Sequence, residues 1–245
     1  MEIKKKLRNR KMTSYLIEFR FQSRKVKTHL QRIIYNIYRK FRVGKGKKVS
    51  HISLVCITNT TNEKRLISDF ARICSQTKQM KFAVNGFGTF DNNQVVYAKI
   101  DASTRLNDFR IKLVENIKSY CQVQPNDKNK DKDKFGYHST LAMKMSPEKF
   151  NQVKRYVMRL PKPRYSHIVM RVTLLKRGKI LKEYDFMQRR LLNRQQALNR
   201  YITRKSKSLL KQFMQGNHNP DRNIKDVTEQ KTKSFWDKIK SFFKR

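Results

Sequence analysis

Residues 49–57 read VSHISLVCI, and residues 137–145 read YHSTLAMKM. Each holds the same four-residue frame: His51-Ile52-Ser53-Leu54 and His138-Ser139-Thr140-Leu141. The chain has only 5 histidines in 245 residues, so two of them in matching frames is a pattern to be explained. Side chains alternate along a β-strand, so residues i and i+2 share a face. Read as strands, the two stretches put His51 beside Ser53 and His138 beside Thr140, while Leu54 and Leu141 point the other way, into a core.

Before the first frame, YLIEFRF (15–21) alternates with Tyr15, Ile17, Phe19 and Phe21 on one face and predicts a strand. Val26, Leu30, Ile33, Ile34, Ile37 and Phe41 then mark one side of a helix over 25–42. GKGKK follows; its glycines among lysines suit either a phosphate cradle or a plain turn, and the turn is the simpler reading because no GK[ST] completes a phosphate loop. Thr60 with Glu63 reads as a capping box opening a helix. MKFAVNGFGTFDNNQVVYAKID predicts a hairpin with Asp91-Asn92-Asn93 at its tip, Ser103 caps the next helix, and PNDKNKDKDK (125–134) is a charged loop. Ser146-Pro147-Glu148 starts another helix, which ends near Leu160. Residues 166–186 read as a hairpin turning at Arg177-Gly178. A strand carrying the histidine frame and followed by a helix thus occurs twice, which predicts two similar lobes.

Beyond this the composition shifts. Residues 189–211 hold eight basic residues and no acid, and Leu191, Leu198, Ile202, Leu209 and Phe213 predict one long cationic helix with a single apolar stripe. The divisions expected are a basic arm (1–12), the duplicated domain (13–186), a basic amphipathic helix (187–215), and a linker with a terminal amphipathic helix (216–245).

Charge restricts the partner. There are 59 Lys and Arg against 18 Asp and Glu, a formal net charge of +41. Such a surface attracts polyanions, and nucleic acid leads because clustered cations displace counterions from phosphates. No stretch approaches the roughly 18 apolar residues of a membrane span, and the basic N-terminus lacks the apolar core of a secretory signal. Cys56, Cys74 and Cys121 form neither a CxxC pair nor an even set, which points to reduced thiols and a cytoplasmic location.

Two imidazoles and two hydroxyls facing one cavity suit phosphodiester chemistry. One imidazole takes a proton from water or a hydroxyl and the other gives one to the leaving oxygen. Ser53 and Thr140 bind the phosphate oxygens.

The paired His-x-Ser/Thr-Leu frames resemble the signature of the two-histidine (2H) phosphoesterase superfamily, and within it the RNA 2′,3′-cyclic phosphodiesterases, also called 2′-5′ RNA ligase-like proteins. The resemblance spans residues 13–186 and includes the GFGTF hairpin. It implies an α+β, bilobal, duplicated fold with two antiparallel sheets forming a central cleft and helices outside, here with a C-terminal helical extension. It also implies catalysis by His51 and His138 with no metal or other cofactor. Its implied reactions are opening or forming cyclic phosphates and cleaving 2′-5′ or 3′-terminal phosphodiesters. Relatives often carry arginine five places after the second histidine; Met143 stands there, with Lys144 expected on the opposite face.

Further candidate base or RNA contacts are Tyr137, Phe87 and Phe90, for which core packing is the competing reading, and Arg190, Arg194, Arg200, Arg204 and Lys207 on the basic helix. The expected protein is a monomer that opens terminal 2′,3′-cyclic phosphates of RNA, transfer RNA fragments among them, with reverse 2′-5′ ligation as a related activity. The alternatives are a non-catalytic RNA-binding protein on the same fold, or a 2′-5′ or 3′-terminal phosphodiesterase. A contact of residues 233–245 with a protein or membrane surface is a further expectation.

Overall fold

In a computed structural model of the chain, the described residues are 12–43, 50–128, 135–222 and 224. The N-terminal arm up to residue 11, all of GKGKK, the tip of the charged loop and the terminal amphipathic segment lie outside them.

Among the described residues, nine strands form two antiparallel sheets. The first has the order β2-β1-β7-β8-β9, built from Thr13–Arg20 (β1), His51–Thr60 (β2), Arg171–Lys176 (β7), Lys179–Asp185 (β8) and Arg190–Asn193 (β9). The second has the order β5-β4-β3-β6, from Lys81–Phe90 (β3), Val95–Ala102 (β4), His138–Ala142 (β5) and Arg164–Ile168 (β6). The chain makes two strands of the first sheet, all four of the second, then returns. With the helices packed on these sheets, the fold is α+β.

Helices form where an apolar stripe follows a good cap. Arg24–Phe41 (α1) opens on Ser23, whose hydroxyl accepts from the Val26 N–H, and buries Val26, Leu30, Ile33 and Ile37. Ser103 and Ser146 cap Thr104–Ile117 (α3) and Pro147–Met158 (α4) in the same way. Each such cap contributes about 1 kcal/mol. For Glu63–Ser75 (α2) the expected cap is corrected: Asn62 accepts from the Arg65 N–H. Thr60 stays in β2 and donates its hydroxyl to the Tyr120 carbonyl.

Two more expectations change. Residues 166–168 do not join the hairpin that follows; they end β6, which pairs with β3 in the other sheet, and the hairpin starts at Arg171. The long cationic helix is three elements: β9, a short helix Arg194–Leu198 (α5), and Arg200–Met214 (α6). Asn193 and Asn199 are both extended and each caps the helix after it, an alternative that Asn side chains offer the backbone.

A buried ionic cluster fastens α6 to the first sheet. Arg171 on β7 is 5% exposed. It donates from Nε to Asp185 (2.8 Å), from Nη1 to Glu183 (3.0 Å) and from Nη2 to Ser206 of α6 (2.7 Å). Thr173 donates to the other Glu183 oxygen at 2.7 Å, so these buried charges are matched by partners.

Packing also explains His167 on β6. Its ring lies against Phe21 and Phe82, 5.9 and 5.2 Å between centroids, and Nε2 is buried with no hydrogen-bond partner among the described residues. Burial pushes its pKa below the ordinary value. The unfolded chain therefore binds this proton more readily than the folded one. The stability this group contributes is complete above about pH 6.5 and is lost as pH falls below it. His167→Phe is expected to flatten the decline of Tm between pH 7.5 and 5.5 relative to wild type, measured by thermal scans in matched buffers; parallel declines would refute the assignment.

Candidate active site

The alternation expected of the two frames is present. On β2, Ile52 and Leu54 are buried while His51 and Ser53 are half-buried; on β5, Ser139 and Leu141 are buried while His138 and Thr140 are half-buried. β2 is an edge of the first sheet and β5 an edge of the second, and the two strands lie against each other. Leu54 and Leu141 enter one core cluster, so both histidine faces look away from a shared interior.

A buried clamp supports this meeting of edges. Asp127 accepts from the Cys56 N–H of β2 at 2.8 Å. Arg110 of α3 donates to the Asp127 carbonyl at 2.9 Å and covers the Phe135 ring at 3.5 Å, just ahead of β5. Desolvation raises the Asp127 pKa, opposed by the Cys56 N–H and the Arg110 charge.

Each histidine has distinct surroundings. His138 Nδ1 lies 2.8 Å from the Gly136 carbonyl. A carbonyl only accepts, so Nδ1 carries the hydrogen and the lone pair of the neutral ring is on Nε2. Phe90 meets this ring edge-on at 4.9 Å, and Tyr97 lies at 5.3 Å. Tyr97 stands opposite Thr140 across the ladder, and Lys99 opposite His138. The Tyr97 ring needs Gly88: a Cβ there would fall 2.6 Å from it.

On the other side, Arg20 stands opposite His51 and Glu18 opposite Ser53. The Glu18 carboxylate lies 3.8 Å from His51 Nε2 and accepts from Arg20 Nε at 2.8 Å. Glu18 is buried, so its charge acts through little water and attracts the His51 ring most strongly when the ring is protonated.

The remaining candidates divide. Phe90 lies beside His138, and Phe87 packs partly against the core. Tyr137 follows the core-packing reading and not the rim contact: it is 4% exposed, packed edge-on to Phe135 at 4.7 Å. Arg190, Arg194, Arg200, Arg204 and Lys207 are all exposed, but on three elements. Arg190 is on β9, Arg194 starts α5, and Arg200, Arg204 and Lys207 follow one side of α6 at i, i+4 and i+7. β5 ends at Ala142 and Lys144 takes a left-handed conformation (φ 60°). The strand alternation expected for Met143 and Lys144 does not apply there, and Met143 is exposed.

Sequence reading missed Glu18, Arg20, Tyr97 and Lys99. A signal existed for the first two: with Tyr15, Ile17, Phe19 and Phe21 inward, Glu18 and Arg20 must share the opposite face. Tyr97 and Lys99 depend on a strand pairing that no local pattern announces.

Comparison with known proteins places this arrangement. The family model described as the 2′-5′ RNA ligase superfamily matches residues 25–180, more than half of the chain, including both histidine frames. The chain belongs to the 2′-5′ RNA ligase superfamily. Membership in this superfamily of 2H phosphoesterases supports phosphoesterase activity in general. No curated protein matches the sequence. Among solved structures, E. coli LigT in apo form is 15% identical, with a TM-score of 0.47, over 71% of this chain and 98% of that one. The protein TT0787 from Thermus thermophilus is 13% identical, with a TM-score of 0.46, over 70% and 97%. Kluyveromyces marxianus Usb1 is 12% identical, with a TM-score of 0.40, over 69% and 95%. Helices α5 and α6 lie beyond the segment that matches the superfamily model.

Proposed function

We propose that the protein is a metal-independent RNA phosphodiesterase that opens terminal 2′,3′-cyclic phosphates. The observation that carries the reading is the pairing of two imidazole-hydroxyl faces, His51 with Ser53 and His138 with Thr140, on abutting edge strands. Superfamily membership and the formal charge of +41 support a phosphodiester in RNA as the substrate class.

In this reading water attacks the cyclic phosphorus, one P–O bond to the ribose breaks, and the ring opens to a phosphomonoester. His138 takes the proton from the attacking water on Nε2. His51, beside the Glu18 carboxylate, gives a proton to the departing ribose oxygen. Ser53 and Thr140 donate to the non-bridging oxygens, where negative charge builds in the transition state. Each proton transfer contributes about 10²–10⁴ in rate.

The test is a panel of oligoribonucleotides ending in a 2′,3′-cyclic phosphate, a 2′-5′ linkage or a 3′-5′ linkage, incubated with the protein in chelator. Conversion of the cyclic end to a monoester, seen by phosphorus NMR, is the expected outcome. Turnover of only the 2′-5′ or 3′-terminal linkage would replace the reading with the corresponding nuclease, and no turnover on any end would reject it.

A further inference from the structure

A second feature of the inner surfaces lies away from the histidines. A cavity of about 1080 Å³ sits between α6, the β3 and β6 strands, and the start of α1. Neither His51 nor His138 lines it. Its apolar wall includes Phe82, Tyr165, Leu210 and Phe213. Lys81, Arg164 and Lys207 also border it, against one acid, Asp101. Asp101 is already engaged, accepting from Asn85 at 2.8 Å with Lys99 at 3.7 Å. The charge at this wall therefore favours an anion.

The cavity is continuous with the strand face that bears His138. Across the second sheet, Lys99 opposes His138, Asp101 lies two residues further on the same face, and Asp101, Ala83 and Ser166 follow in register. From β5 to β6 there are three strand spacings, about 14 Å. A mononucleotide held at His138 cannot cover that distance; a short oligonucleotide can.

Three cations from different elements are placed to serve a phosphate here. Arg20 opposes His51 on β1 and gives its Nε to Glu18 at 2.8 Å, which leaves its terminal nitrogens for a phosphate. Lys207 is on α6, directly after Ser206, which is bonded to Arg171. Arg171 adjoins Arg20, one step past the Phe19–Val172 pair. Lys27, in the first turn of α1, directly follows Val26 of the cavity wall; burial first, then the charges of Lys207 and Arg20, push its pKa down. A lysine beside other cations, at a cost to its own charge, is the arrangement expected of an anion-binding site. Arg200, Arg204, Lys207 and Lys211 extend this positive charge along one side of α6, spaced i, i+4, i+7 and i+11.

We propose that the cavity beneath α6 binds a nucleotide of single-stranded RNA upstream of the reacting end, with Arg20, Lys27 and Lys207 holding the intervening phosphate and the apolar wall receiving the base. The inference rests on the ring-opening reading for the position of the RNA end. It makes the C-terminal extension the element that distinguishes an RNA chain from a free cyclic nucleotide. Base contacts of this kind tolerate sequence, because every base has a π-face.

The experiment compares a trinucleotide with a 2′,3′-cyclic end against a 2′,3′-cyclic mononucleotide, using wild type, Lys207→Ala and Ala83→Leu. The first variant removes a cation from an exposed position, and the second fills the cavity without deleting any packing. Expected are a wild-type preference for the trinucleotide in kcat/KM and a loss of about 10-fold in that preference in each variant. For Lys207→Ala, the slope of log affinity against log salt for single-stranded RNA should also shrink by about 0.7, one phosphate contact. Equal losses on both substrates, no loss on the trinucleotide, or an unchanged salt slope overturns the proposal. Tighter RNA binding after deletion of residues 225–245 also overturns it, since the chain's own tail would then be the occupant. If wild type opens neither substrate, the ring-opening reading fails by itself, and trinucleotide affinity with its salt slope decides the cavity.

Discussion

His51→Ala and His138→Ala are each expected to lower the ring-opening rate about 10²–10⁴-fold at saturating substrate. Losing either imidazole stalls the same step, because taking the proton from water and protonating the leaving oxygen occur around one phosphorus. The double variant should therefore lose little more than the worse single variant, as groups acting as a unit are far from additive. A structural role predicts something different. Both side chains lie on a face turned from the core, with His51 12% exposed beside Glu18, and a substitution there is expected to cost about 1 kcal/mol. Tm should stay within about 4 °C of wild type while turnover collapses. Turnover within about threefold of wild type in either variant would remove that histidine from the reaction.

The largest expected change in stability lies elsewhere, at Arg171. Arg171→Met keeps most of the side-chain volume but leaves Asp185 and Glu183, 0% and 7% exposed, without their cation. Breaking a buried pair in this way costs about 3–5 kcal/mol, which for a chain of this size is a fall in Tm of roughly 6–20 °C. Because Arg171 also donates to Ser206, α6 should loosen first, visible as faster amide exchange over residues 200–214 than over β1 or β2. Replacing Arg171, Glu183 and Asp185 together with apolar residues of similar volume should recover much of the loss, since no buried charge is then stranded. A Tm within about 2 °C of wild type for Arg171→Met would show that the cluster contributes little.

The histidine faces were legible because alternation along a strand depends only on neighbouring residues, and leucine at the fourth place of both frames marked the inner side. Ser103 and Ser146 were legible as caps for the same local reason. What escaped depends on distant pairing. The break at Val169-Met170 separates β6 from β7, yet both residues are buried and apolar, so no turn residue marks the switch of sheets. In the C-terminal extension, Leu191, Leu198 and Ile202 fit a helical period, but Leu192 is the residue that β9 turns inward and Leu198 is exposed. The two asparagines that divide the segment were the overlooked signal. Glu18 shows the remaining kind of gap. The alternation of β1 fixes its face, but only the pairing of β1 with β2 brings it to His51.

The roles of the two histidines are read from the pH dependence of kcat/KM for a cyclic-phosphate trinucleotide, measured in chelator for wild type, His51→Ala and His138→Ala. Two histidines acting on one phosphorus in opposite protonation states predict a bell for the wild type, with the acidic limb missing when His138 is replaced and the alkaline limb missing when His51 is replaced. A wild-type profile that is flat, or a bell that both variants retain, would contradict those roles.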